Sequence, residues 1–141
     1  MAVYKKPTKD DAELLIRLMQ LGNTPQMEQA MVWMMSDLQA KSYEEFHEKN
    51  PDGSPGEQNF SRVMTQFELA GALISHGILN ENLYFDTSGI GFVWEKLGPI
   101  AEGMRKSMSP ALWENAVWLA ERQKKWARTV WKPNLAWKRA R

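Results

Sequence analysis

The feature that most limits the fold of this chain is a series of helix-start signals, each followed by apolar residues at helical spacing. The capping residues of five such segments are Thr8, Thr24, Ser42, Ser54 and Asn80. Side-chain oxygens of Ser, Thr and Asn accept hydrogen bonds from the free N–H groups of a first helical turn. No run alternates apolar with polar residues for long, so strand signals are weak. The sequence therefore predicts an all-α fold, a compact bundle of about six helices.

Two long helices are expected to form the centre of this bundle. One is predicted near residues 55–76, starting after Ser54 and ending at a glycine, with apolar residues on both sides that indicate packing on both sides. The other is predicted near residues 110–131, starting at Ser109. Thr87 or Ser88 is expected to cap the helix between them, which Pro99 should kink or interrupt.

Charge divides the chain into two unequal parts. The last twenty residues, Arg122 to Arg141, carry eight of the eighteen basic side chains and no carboxylate. The residues before them carry ten basic and seventeen acidic side chains, a formal charge of −7. We therefore predict a single helical domain at 1–131, a basic C-terminal tail at 132–141, and a surface that attracts an anionic or acidic partner.

The absence of cysteine excludes disulfides, thiolate metal sites and thiol catalysis. The N-terminal residues are polar and mixed in charge, so no secretory signal is predicted. No apolar stretch approaches the length of a transmembrane helix. The expected location is the cytoplasm.

The last helix carries a second aromatic face. Trp118, Arg122 and Trp126 are spaced four residues apart on the side opposite its core-facing stripe. Exposed clusters of tryptophan are uncommon on monomers, so this face needs a cover. Either another part of the chain covers it, with Arg122 stacked on the indoles, or it forms an interface, for which a homodimer is the preferred form.

Basic residues near the C-terminus interleave with tryptophans and form a candidate anion-binding surface, namely Lys124, Lys125, Arg128, Lys132, Lys138, Arg139 and Arg141. Nucleic acid would offer phosphates to the cations and bases to the indoles. An anionic membrane surface would accept both groups at its interface. The acidic body of a neighbouring subunit would neutralise the cations directly, and a solvated terminus is the fourth interpretation.

Several short motifs occur in a defined order, namely Gly71-Ala-Leu-Ile-Ser-His-Gly77, Leu83-Tyr84, Trp94-Glu95-Lys-Leu-Gly-Pro99, Met104-Arg105 and Pro110-Ala-Leu-Trp113-Glu114. Their order and spacing resemble a family of small all-helical bacterial proteins of unknown function. The resemblance covers roughly Phe60 to Arg122 and implies no known activity.

Glu68 lies at the border between the two apolar sides of the central helix, where a charge is hard to hydrate. A buried carboxylate needs a partner. The family pattern places Arg105 near the same motif, so the resemblance favours a buried Glu68–Arg105 pair. In the alternative hypothesis Glu68 is the general acid or base of an enzyme with a helical cleft; we favour the structural role.

The histidines do not predict a metal site. Glu44 and His47 have the spacing of ligands in di-iron bundles, but a second copy and two further glutamates are missing. His76, beside a glycine, fits a helix C-terminus. Because there is also no phosphate loop and no nucleophile elbow, we predict no catalytic residue, no metal and no cofactor.

The function that these observations favour is a non-enzymatic interaction or scaffold module that self-associates and presents a basic, Trp-containing C-terminus. The alternatives are a binder of nucleic acid or of an anionic membrane surface, and the enzyme that would use Glu68.

Overall fold

The computed structural model describes residues 4–131, which form seven α-helices and a final π-helical turn, without any strand. The helices are α1 (Lys9–Gly22), α2 (Pro25–Ser36), α3 (Tyr43–Lys49), α4 (Pro55–Ser75), α5 (Glu81–Thr87), α6 (Gly91–Ser107) and α7 (Glu114–Trp126), and the π-helical turn is Ala127–Trp131. The predicted all-α fold is confirmed.

The first five helices begin where their capping residues predict. The side chains of Thr8, Thr24, Ser42, Ser54 and Asn80 each accept a hydrogen bond from the backbone N–H three residues further on. These bonds satisfy donors that a helix leaves free in its first turn.

α4 ends in a glycine turn. Gly77 has a φ of 71°, a conformation that only glycine adopts without strain. Its N–H donates to the Ile74 carbonyl, and the N–H of Ile78 donates to the Leu73 carbonyl. This pair of bonds is the Schellman arrangement, and it ends the central helix within one residue of the predicted end.

α4 is the centre of the bundle. It packs against α2 and against α7, while α3 packs on α6, α6 on α7, and α1 on α5. One continuous apolar core extends from Leu15 to Val130 and includes Phe60 and Met64 of α4. The α4–α7 contact is close, because a Cβ added to Gly71 would lie 2.3 Å from the backbone oxygen of Asn115.

The last two helices differ from the prediction at their starts. α7 begins at Glu114 rather than near residue 110, because residues 110–113 form a turn that ends with Trp113 in the left-handed conformation, at a φ of 57°. Beyond Trp126 the helix widens into the π-helical turn. α6 starts after Ile90 rather than after Thr87 or Ser88 and continues through Pro99, so the predicted interruption does not occur.

None of the helices within residues 4–131 combines the length and the apolarity that a bilayer crossing requires.

Candidate functional site

The predicted aromatic face of α7 is covered by α5. The Arg122 guanidinium lies against the Glu81 carboxylate in a two-pronged ion pair, with Nε–Oε2 at 2.6 Å and Nη2–Oε1 at 2.7 Å. These side-chain hydrogen bonds raise the pKa of Arg122, against the burial that lowers it. The planar group of Arg122 thus binds a carboxylate edge to edge, and its stacking on the indoles stays a prediction.

Trp126 is buried in the same contact. Its side chain is 5% exposed, and its Nε1 donates to Oδ1 of Asn82 at 2.8 Å. The ring of Phe85, also on α5, lies 5.5 Å from that of Trp126 between centroids. Trp118 is half-buried and packs against the core. α5 therefore covers Trp126 and part of Arg122 from within the chain, while the homodimer interface through this face stays a prediction.

The N-terminal segment completes this contact. The Lys5 carbonyl accepts hydrogen bonds from the side-chain amides of Asn80, at 3.0 Å, and Asn82, at 2.7 Å. Asp11 accepts from the backbone N–H of Asn80 at 2.9 Å. Burial raises the pKa of Asp11, but hydrogen bonds from Thr8 and Asn80 and the nearby Lys5 charge outweigh it, so the pKa is lowered overall.

We call this set of residues the α5 clasp; its members are Lys5, Asp11, Asn80, Glu81, Asn82, Arg122 and Trp126. Sequence reasoning found Arg122 and Trp126 and used Asn80 only as a helix cap. It missed Glu81 and Asn82, because α5 has seven residues and its polar side chains resemble those of any exposed short helix.

Glu68 caps α7. Its Oε2 accepts from the backbone N–H of Ala116 at 2.9 Å, and its Oε1 accepts from the Asn115 side chain at 2.9 Å and the Asn115 backbone at 3.3 Å. Arg105 instead donates two hydrogen bonds to the Pro110 carbonyl, at 3.1 and 2.6 Å. The predicted Glu68–Arg105 pair is therefore wrong.

A physical reason explains this difference. Trp113 precedes α7 and provides no side-chain cap, so the first N–H groups of α7 need acceptors from elsewhere. A carboxylate is the strongest such acceptor and also suits the positive end of the helix dipole. These bonds account for a carboxylate at position 68 without a catalytic role.

Gln123 of α7 caps α6 in the same way. Its Oε1 accepts from the backbone N–H groups of Ile90, at 2.7 Å, and Gly91, at 3.0 Å. A Cβ added to Gly89 would lie 2.4 Å from Nε2 of Gln123. The glycine therefore leaves the room that the capping amide occupies.

Three predicted cations lie together on the outside of the last helix. Lys124, Lys125 and Arg128 are exposed, and their spacing places them on one side of α7 and its π-helical turn. Within residues 4–131 none of them forms an ion pair. We call these three residues the cationic face. The other predicted anion-binding residues, Lys132, Lys138, Arg139 and Arg141, lie outside the described residues.

The part of the chain that the structure describes contains no group of three or more histidine, aspartate or glutamate side chains that could hold a metal ion.

Comparison with known proteins identifies one family. A family model described as Domain of unknown function (DUF4760) matches residues 7–126. The predicted resemblance to a family of unknown function is confirmed, and the match extends well before Phe60. No curated protein and no solved structure matches the sequence.

Proposed function

Because the chain belongs to a family of unknown function, DUF4760, we propose its role from its surface: it is a non-enzymatic interaction module that binds an acidic protein surface through the cationic face. The observation that carries this proposal is that Lys124, Lys125 and Arg128 are exposed on one side of a helix without ion-pair partners within the described residues.

The helix that carries these cations is held firmly on the body. Trp126 lies between Lys125 and Arg128 in sequence, and its indole is buried and hydrogen-bonded to Asn82. Arg122, one turn earlier, is fixed by Glu81. A charged surface on a fixed helix loses less conformational entropy on binding than one on a flexible segment.

The partner that the charges favour is a second copy of the chain. The residues before Arg122 have a formal charge of −7. Several of these carboxylates are exposed around α3, where Glu44, Glu48 and Asp52 lie within nine residues of one another. Opposite charges on two copies would attract each other, so the proposed self-association joins the cationic face of one chain to the acidic body of the next.

The described cationic face favours a protein partner over nucleic acid or membrane. Binding of single-stranded nucleic acid and insertion at a membrane interface both use exposed aromatic rings beside the cations. Here Trp126 is buried and Trp118 packs against the core. What the described face offers is charge, which an acidic protein surface complements directly.

Sedimentation equilibrium of the full chain at about 20 mM and about 500 mM salt tests this proposal. At the higher concentration, salt ions shorten the range of attraction between exposed charges to a few ångströms. We expect the mean mass to rise with protein concentration at low salt and to fall to that of one chain at high salt. The variant Lys124→Gln/Lys125→Gln/Arg128→Gln should lose most of this association.

The matched control removes the same number of positive charges from exposed positions elsewhere, namely Lys6→Gln, Lys9→Gln and Lys106→Gln. It should keep the association. A chain that stays monomeric at low salt, or a control that fails as badly as the test variant, refutes the proposal. Salt-sensitive binding to an oligonucleotide or to phosphatidylserine vesicles by such a monomer would replace the protein partner with nucleic acid or membrane.

The contribution of the predicted tail is best tested by a chain that ends at Trp131. A chain that ended at Glu121 would also lose Arg122 and Trp126, which belong to the α5 clasp. If the chain that ends at Trp131 no longer associates, the association depends on residues 132–141 rather than on the cationic face.

A further inference from the structure

A cleft of about 260 Å³ lies beside the α5 clasp, between the end of α4, the start of α5, the middle of α7 and the N-terminal segment. One part of its wall is apolar and consists of Ile74, Leu79 and the half-buried Trp118. The other part is polar and includes Lys5 and Arg122. A concave site with an apolar wall and a few polar groups is the usual form of a small-molecule site.

The side-chain oxygens of Asp11, Glu81 and Asn82 around this cleft each already accept at least one hydrogen bond. Both oxygens of Glu81 accept from Arg122. The two oxygens of Asp11 accept from Thr8 and from the backbone of Asn80. Oδ1 of Asn82 accepts from Trp126. A ligand that brought further donors would have to share an oxygen that is already bonded.

Donors remain available. A guanidinium has five N–H groups, and Arg122 uses one on Nε and one on Nη2 for Glu81. The Lys5 ammonium has three N–H groups, and its positive charge helps to lower the pKa of the nearby Asp11. The cleft therefore favours a ligand that brings acceptors, with Arg122 held in a fixed orientation by Glu81.

The charges limit the choice of anion. Two carboxylates, Asp11 and Glu81, balance the two cations, Lys5 and Arg122, so the cleft offers donors without a net positive charge. A singly charged carboxylate suits such a site better than a doubly charged phosphate. The apolar wall and the indole of Trp118 suit a flat ring, because aromatic rings pack well against one another.

We propose that this cleft binds a small aryl carboxylate, with the carboxylate on the free donors of Arg122 and Lys5 and the ring against Trp118. The volume of about 260 Å³ limits the ligand to a small molecule, such as one ring with a short acidic side chain. This site is separate from the cationic face, so either proposal can fail without the other.

Titration of the full chain with phenylacetate, followed by NMR of the Trp118 indole N–H and the Asn82 side-chain amide, tests the proposal. We expect saturable shifts at about millimolar concentrations, which is ordinary for a ligand of about ten heavy atoms. Phenylacetamide keeps the ring and shape but lacks the charge, and it should bind about tenfold more weakly. Inorganic phosphate should also bind more weakly than phenylacetate.

Lys5→Gln should weaken phenylacetate binding about threefold to tenfold, because it removes an exposed cation that lines the cleft. Lys6→Gln is its matched control, since Lys6 is exposed, adjacent in sequence and absent from the cleft wall, and it should leave binding unchanged. Arg122→Gln should abolish binding, with thermal unfolding checking that the variant is folded.

Three results would each overturn the proposal: no saturation by phenylacetate up to about 20 mM, well above the expected dissociation constant; equal affinity for the acid and its amide; or equal effects of Lys5→Gln and Lys6→Gln. Because the Lys5 comparison involves an exposed side chain, it decides the matter even if Arg122→Gln fails to fold.

Discussion

Replacing Glu68 with alanine removes the carboxylate that caps α7, and we expect it to lower the free energy of unfolding by about 2–3 kcal/mol. Two of its hydrogen bonds, to Ala116 N and to the Asn115 side chain, are 2.9 Å long, and the third is 3.3 Å. A hydrogen bond to a charged group contributes about 1.5–3 kcal/mol, and loss of a helix cap costs about 0.5–2 kcal/mol. Because these contributions overlap, the expected loss lies between the cost of a lost helix cap and the cost of two hydrogen bonds to a charged group.

Urea unfolding followed by circular dichroism measures this change. Glu68→Gln keeps one acceptor oxygen and should lose about half as much stability as alanine. The control is Glu95→Ala, which removes an exposed carboxylate from α6 and should change stability by less than about 0.5 kcal/mol. A double-mutant cycle of Glu68→Ala with Asn115→Ala separates the side-chain bond from the backbone bonds.

A Glu68→Ala variant no less stable than Glu95→Ala would contradict the capping role of Glu68. A strong coupling between Arg105→Ala and Glu68→Ala would also contradict it, because Glu68 binds α7 and Arg105 binds the Pro110 carbonyl. Strong coupling would restore the ion pair that the sequence suggested.

Three further changes probe the packing and the clasp by the same unfolding measurement. Gly71→Ala places a Cβ 2.3 Å from the Asn115 carbonyl oxygen and should cost about 1–3 kcal/mol; an unchanged stability would mean that α4 and α7 lie further apart. Trp126→Phe keeps a ring but leaves Oδ1 of buried Asn82 without its donor and should cost about 1–3 kcal/mol; an unchanged stability would mean that this hydrogen bond contributes nothing. The pKa of Asp11 is lowered in the folded chain. Its contribution to the free energy of unfolding is therefore complete at pH values above the ordinary pKa of 3.8 and is lost as the pH falls through the lowered pKa. The stability difference between wild type and Asp11→Asn should therefore shrink between about pH 6 and about pH 3, and a difference that grew would contradict the assignment.

The sequence correctly predicts the starts of helices whose capping side chain is close in sequence to the N–H group that it binds. Thr8, Thr24 and Ser54 each accept a hydrogen bond from a residue three positions away, so a short stretch of sequence contains both partners. The end of α4 is also local, because the φ of Gly77 follows from the residue type. These are the starts and ends that the prediction located within a residue or two.

The starts of α6 and α7 could not be predicted in that way, since their caps come from distant residues. Gln123 reaches Ile90 from 33 positions away, and Glu68 reaches Ala116 from 48 positions away. A serine near each start, Ser88 or Ser109, is a reasonable local choice that the tertiary structure overrides. The same limit explains the missed partner of Glu68.

The candidate site was predicted in part for the same reason. The spacing of Trp118, Arg122 and Trp126 correctly indicates a second face that needs a cover. What covers it is α5, whose Glu81 and Asn82 match Arg122 and Trp126 in chemistry. That match becomes visible only when the two helices are side by side, because 41 and 44 residues separate the partners.

The distant caps also make the helices depend on one another. α4 supplies the acceptor for the first turn of α7, and α7 supplies the acceptor for the first turn of α6. Local unfolding of α4 around Glu68 would leave the first N–H groups of α7 without their acceptor. Unfolding of α7 would do the same to the N–H groups of Ile90 and Gly91. Amide hydrogens at these two helix starts should therefore exchange with solvent through one shared opening event rather than two independent ones.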